Sequence, residues 1–169
     1  MTEQLSFFST GEDLAEARRL FLKNLDSGAV CPLCRRFTKR YHRKLNAGMA
    51  RILIAIYRMC KKKNTDCIHV SHVFLERQKN AVAQEYSKLK YWGLLLPIPS
   101  EDPKEKKEQR GSGWWRLTAA GKEFVQGVSK VPKYILLVNN EHEGMAGDLI
   151  SIRDCLGSKF NYDELMKGL

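Results

Sequence analysis

Apolar positions fall at helical spacing in three stretches of the chain. Leu14, Ala17, Phe21 and Leu25 repeat every three or four residues, which predicts an amphipathic helix over about residues 11–25. Ser9 followed by Glu12, or Thr10 followed by Asp13, supplies a capping box, and Ser27-Gly28 ends the helix. A second helix is predicted over about residues 46–62, with Met49, Ile52, Leu53, Ile56 and Met59 or Cys60 as its buried stripe. Arg51, Ala55, Arg58 and Lys62 share another face of it. A turn at 64–68 leads into a short segment, 68–76, with Ser71 as its N-cap. A further helix, about 78–92, stops at Gly93. Val82, Tyr86 and Leu89 mark its inner side, and Asn80, Gln84, Ser87 and Tyr91 its outer side, with Lys88 flanking.

Strand patterns follow. Residues 94–98 read as a strand, and Pro97 places it at a sheet edge because proline lacks a ladder donor. Residues 100–113 are polar, charged and glycine-bounded, which predicts a loop, and Trp114–Leu117 reads as the returning strand. Thr118 caps a helix running through Val125, and Pro132 marks a boundary. Residues 134–138 form an apolar strand, Asn139-Asn140 a turn, and 149–152 its partner. Ser151 with Asp154 and Asn161 with Glu164 are further capping signals, the second opening a short helix at about 162–167. There is no internal repeat. The expected organisation is an N-terminal helix and cysteine-bearing arm (1–45), a central domain (46–130), and a hairpin-and-helix extension (131–169).

Charge changes this picture more than composition does. The 169 residues are 43% hydrophobic and 28% charged, a balance that supports a folded core. The net charge is +10, and no Asp or Glu occurs from Ser27 to Thr65. That stretch holds Arg35, Arg36, Lys39, Arg40, Arg43, Lys44, Arg51, Arg58, Lys61, Lys62 and Lys63. Such a block repels itself, and a polyanion would relieve the repulsion. The longest apolar run is broken by Arg51 and Arg58, so no transmembrane helix is expected, and the first residues carry no signal-peptide pattern. Five cysteines, scattered apart from one pair, point to a reducing, cytoplasmic setting.

The order helix, short helix, helix, strand, charged loop, strand resembles the winged helix-turn-helix. The segment from Lys88 to Leu95, KLKYWGLL, resembles the end of a recognition helix turning through glycine into the first wing strand. The segment from Trp115 to Val125, WRLTAAGKEFV, resembles the return strand and following helix of bacterial winged-helix regulators, with glycine on the helix's close-packed side. The resemblance covers about residues 46–127. It implies an α+β fold and duplex DNA binding by a small regulator of bacterial or phage type, with the recognition helix in the major groove. Asn80, Gln84, Ser87, Lys88 and Tyr91 would then face bases or phosphates, and Lys104, Lys106, Lys107 and Arg110 on the wing would follow the backbone. Ala81, Ala83 and Glu85 offer little to that reading, and Glu101, Asp102, Glu105 and Glu108 nearly balance the wing's bases.

Cys31-Pro-Leu-Cys34 resembles a zinc knuckle, with Arg35 where the pattern usually has glycine. A tetrahedral site needs two further ligands, which His42, Cys60, Cys67, His69, His72 or a second subunit could supply. Cysteines that merely pack, or a redox dithiol, are the other readings. No enzymatic constellation stands out: His42, His69, His72 and His142 are isolated, and Glu141-His142-Glu143 reads as a solvated loop. Two other functions remain open at this point. One is a winged-helix adaptor or inhibitor that docks protein. The other is single-strand or RNA binding with Tyr91, Trp92, Trp114 and Trp115 as stacking platforms. Trp92 and at least one of the paired tryptophans are expected in the core.

Overall fold

The computed structural model describes residues 11–75, 81–99 and 113–167. The fold is α+β and divides into two compact units, one of Met1–Arg43 with Leu136–Gly144, the other of Lys44–Ile135 with Met145–Leu169. Among the described residues no helix is long and apolar enough to cross a membrane.

In the first unit, helix α1 (Gly11–Lys23) ends where Gly28, at φ +97°, donates its amide to Asn24 O. Two short strands follow, β1 (Ala29–Val30) and β2 (Phe37–Thr38), paired antiparallel with Ala29 opposite Thr38 and Val30 opposite Phe37. Leu25 and Thr38 are buried in this stretch, as is Leu137 in the unit's second part. On α1 only Ala17 and Phe21 of the predicted stripe are half-buried; Leu14 is exposed, as are Leu20 and Leu22. The capping pairs of Ser9 and Thr10 lie outside the described residues.

Strands β3 (Arg40–Lys44), β7 (Val131–Val138) and β8 (Glu141–Ile150) form a sheet in the order β3-β7-β8. Asn139 and Asn140 both take left-handed φ, +51° and +67°, which is what a tight two-residue hairpin turn requires. The hairpin is longer than its apolar pattern foretold. Pro132 sits inside β7 rather than at a boundary, and Glu141-His142-Glu143 opens β8 rather than forming a loop.

The second unit is built on α2 (Ala47–Lys63). The side chain of Asn46 accepts the Met49 amide at 2.9 Å to start it, and Asn64 closes it in the left-handed conformation. All of the predicted stripe except Met59 is buried, and Ala50, Ile54 and Tyr57 are buried too, so the helix is covered on most sides. Three bases in its last turn complement the helix dipole. Strand β4 (Cys67–His69) and helix α3 (Val70–Leu75) follow.

A 3-10 helix spans Ala81–Trp92, β5 spans Leu95–Pro97, β6 Trp114–Leu117 and α4 Ala119–Val125. The sheet order is β4-β6-β5, antiparallel throughout, with Ile68 and Pro97 both opposite Trp115. Pro97 is on an edge strand, as its chemistry demands. Strand β6 alternates cleanly: Trp115 and Leu117 are buried, Trp114 and Arg116 exposed. Thr118 accepts the Gly121 amide at 2.9 Å and so caps α4. Gly121 lies against Leu94 O and the Leu117 side chain, where a Cβ would not fit. The chain continues through α5 (Ile152–Leu156), opened by the Ser151–Asp154 capping box, to α6 (Tyr162–Met166), capped by Asn161.

Candidate nucleic-acid interface

Each unit contributes its own set of candidate residues. In the second unit the helix that leads into β5 carries the central group. A 3-10 helix brings residues three apart into line. Tyr86, Leu89 and Trp92 form such a row. Leu89 and Trp92 are buried, the Trp92 indole donates to Pro132 O at 2.7 Å, and Tyr86 meets Trp115 edge-to-face with ring centres 5.2 Å apart. Burial also raises the Tyr86 phenol's pKa above its ordinary value. Trp92 and Trp115 are therefore core residues, and of the three tryptophans only Trp114, at 43%, is exposed.

The other positions of this helix differ among themselves. Ser87, Lys88 and Tyr91 are half-buried, while Lys90 is exposed beside the Tyr91 ring. Glu85 accepts from the Asn46 side chain at 2.7 Å and from Lys88 Nζ at 3.0 Å, so the Lys88 charge is already partnered. The Gln84 backbone is helical, but its side chain is outside those described, and Asn80 and the wing bases Lys104, Lys106, Lys107 and Arg110 lie outside the described residues altogether. Sequence reasoning passed over Lys90 and Arg116. Both are exposed, Lys90 on the helix and Arg116 on a wing strand. The signal for Arg116 was available, since strict alternation around buried Trp115 and Leu117 turns it to solvent.

Arg51 and Arg58 make contacts within the chain. The Arg51 guanidinium lies over the Phe160 ring at 4.9 Å, and Arg58 donates to Leu165 O at 3.0 Å. Both belong to the packing of α2 against the C-terminal segment. The exposed charge of α2 is at its end, in Lys61, Lys62 and Lys63.

The first unit presents basic side chains of its own. Arg35, Arg36 and Arg43 are exposed, and Lys39 is half-buried. Lys44, where the second unit begins, is exposed too. From Tyr41 to Lys44 every residue of β3 is exposed, so both faces of that strand are solvent-accessible there. The Arg43 guanidinium sits 5.8 Å from the Tyr41 ring. Arg40 differs from the rest: it donates to Asp26 at 3.0 Å and to Glu143 at 2.8 Å. Asp26 also holds His42 Nε2 at 3.2 Å. The hydrogen bond from His42, and after it the one from Arg40, keeps the Asp26 carboxyl below the usual range.

Cys31 and Cys34 occupy the turn between β1 and β2. The Cys31 amide donates to Arg36 O at 2.8 Å, the Arg35 amide donates to Cys31 O at 2.9 Å, and Arg35 is left-handed at φ +60°. The backbone amides of Cys34 and Leu33 point at the Cys31 sulfur and hold its pKa below the ordinary thiol value. Among the described residues no three His, Cys, Asp or Glu side chains gather closely enough to hold a metal.

No protein-family model, curated protein or solved structure matches the chain.

Proposed function

We propose that the second unit is a winged helix and that the protein binds duplex DNA. The observation that carries this reading is the strand order β4-β6-β5. The last helical stretch leads directly into β5, and β5 and β6 are joined by the long basic-and-acidic segment. A helix set before a two-stranded wing in this way suits the major groove, with the wing on the flanking backbone. Lys90, Gln84 and Ser87 are then the groove-facing candidates, and Arg116 and the wing bases the backbone contacts. The exposed bases of the first unit add sequence-independent affinity through counterion release.

Protein docking is the second reading, and one observation favours it: Arg51, Arg58 and Lys88 are all engaged within the chain. The two part on a gel-shift titration with duplex DNA, single-stranded DNA and RNA at several salt concentrations. Duplex binding that weakens steeply with salt supports the DNA function. Preference for single strands moves the function to exposed aromatic positions such as Trp114, and no binding to any of the three favours the adaptor.

A further inference from the structure

The β1–β2 hairpin has two features that stand out among the described residues. Its strands are two residues each, too short for a hairpin to persist on pairing alone. It also exposes large apolar side chains: Val30 is 56% exposed, Leu33 66% and Phe37 63%. Between those residues the turn carries Cys31 and Cys34, and it is closed by the Cys31 amide on Arg36 O at 2.8 Å and the Arg35 amide on Cys31 O at 2.9 Å. Arg35 accepts a left-handed conformation to close that turn, although the conformation favours glycine.

Two cysteines on one turn are half of a tetrahedral metal site. The core cysteines do not read as the missing half. Cys60 and Cys155 are buried thiols of the second unit, pushed up by burial to about 11 and about 12. Among the described residues no third His, Cys, Asp or Glu side chain joins the Cys31–Cys34 pair closely enough to complete the set. We propose that Cys31 and Cys34 hold one zinc ion jointly with Cys31 and Cys34 of a second copy of the chain, the two hairpins facing each other across a twofold axis. A twofold axis through the metal turns one pair of ligands into four. The same contact covers Val30, Leu33 and Phe37 with their own counterparts. Each thiol gives up its proton on binding, so a zinc ion with four thiolates carries a net charge of minus two. Arg35 and Arg36, exposed beside the turn on each copy, offset that charge, which gives a reason for arginine at a position where glycine would be less strained.

The test uses the full chain without nucleic acid, so it is independent of the DNA reading. Elemental analysis is combined with mass by light scattering. The expected result is one zinc per two chains, a dimer whose mass halves on chelation, and recovery on adding zinc. Titration of metal-free protein with cobalt(II) should end at half an equivalent per chain and give the intense visible bands of a tetrahedral four-thiolate site, and Cys34→Ser should abolish those bands. One metal per monomeric chain, a cobalt endpoint at one equivalent, or a dimer indifferent to chelation would each overturn the proposal. The cobalt endpoint is read on the unaltered chain, so it decides the matter even if the variant does not fold.

Discussion

Asp26 is a surface carboxylate hydrogen-bonded to Arg40 and His42, and its lowered pKa predicts a contribution to stability that acid removes. A carboxyl whose folded value is lowered stabilises the fold above its ordinary pKa of about 4, and that contribution disappears as pH falls through the folded value. The thermal midpoint should therefore fall below about pH 4, and Asp26→Asn should flatten part of that fall; an identical profile would show that the Arg40–Asp26–His42 cluster does not stabilise the fold. Thiol chemistry separates the cysteines in the same way. Buried Cys60 and Cys155, raised to about 11 and about 12, should resist alkylation at neutral pH in the native, metal-free protein, whereas Cys31, held below the ordinary thiol value, and Cys34, which is exposed, should label quickly. Mass mapping after brief iodoacetamide treatment checks this. Gly121 has the sharpest steric demand: Gly121→Ala places a methyl group against Leu94 O and should cost about 1–3 kcal/mol, read by denaturant unfolding.

At the scale of elements, the sequence was most legible where a residue pattern and a capping signal agreed. Helix α2 with Asn46, strand β6 with its alternation, α4 under Thr118, and the Asn139-Asn140 turn stand within a residue or so of their expected places. Strand β4 was not legible. It is three residues with a single buried apolar position, Ile68, and it exists because β6 pairs with it from far along the chain. Strand β8 is similar: its ten residues carry little apolar alternation and most are exposed, so its length follows from pairing in the sheet rather than propensity. The helix over 81–92 was expected as a helix, but its 3-10 winding shifts which side chains line up, and that brings Lys90 outward and leaves Lys88 paired. On the DNA reading, Lys90→Ala should weaken binding and flatten the log–log salt slope by about one unit, with Lys88→Ala changing it less. Gln84→Ala should relax preference at one base position by ~1–3 kcal/mol. Equal effects of the two lysine variants would return Lys88 to the interface.

For the whole molecule, the +10 charge is only partly available to a partner. Arg40, Arg51 and Arg58 make contacts within the chain, whereas the exposed charge includes Arg36, Lys44, Lys61 and Lys62. Charge patterning could show the block but not this division, because the partners Glu143, Phe160 and Leu165 lie more than a hundred positions away in sequence. Replacing Arg43 and Lys44 with alanine should lower affinity for all duplexes alike and flatten the salt slope by about one unit for each phosphate no longer neutralised. An unchanged slope in anisotropy titrations would remove β3 from the interface.

The first unit is assembled from two distant parts of the chain, since residues 136–144 complete what residues 1–43 begin. During synthesis the front of the chain leaves the ribosome first, at ~5–20 residues per second, and so waits roughly ten seconds for the segment that finishes it. Throughout that interval Arg40 lacks Glu143, and β3 lacks the strand that it pairs with. A nascent chain stalled before residue 136 should therefore be cut by protease within its first 43 residues, while release of the full chain should bring protection. The N-terminal unit is the first to be made and among the last to be finished.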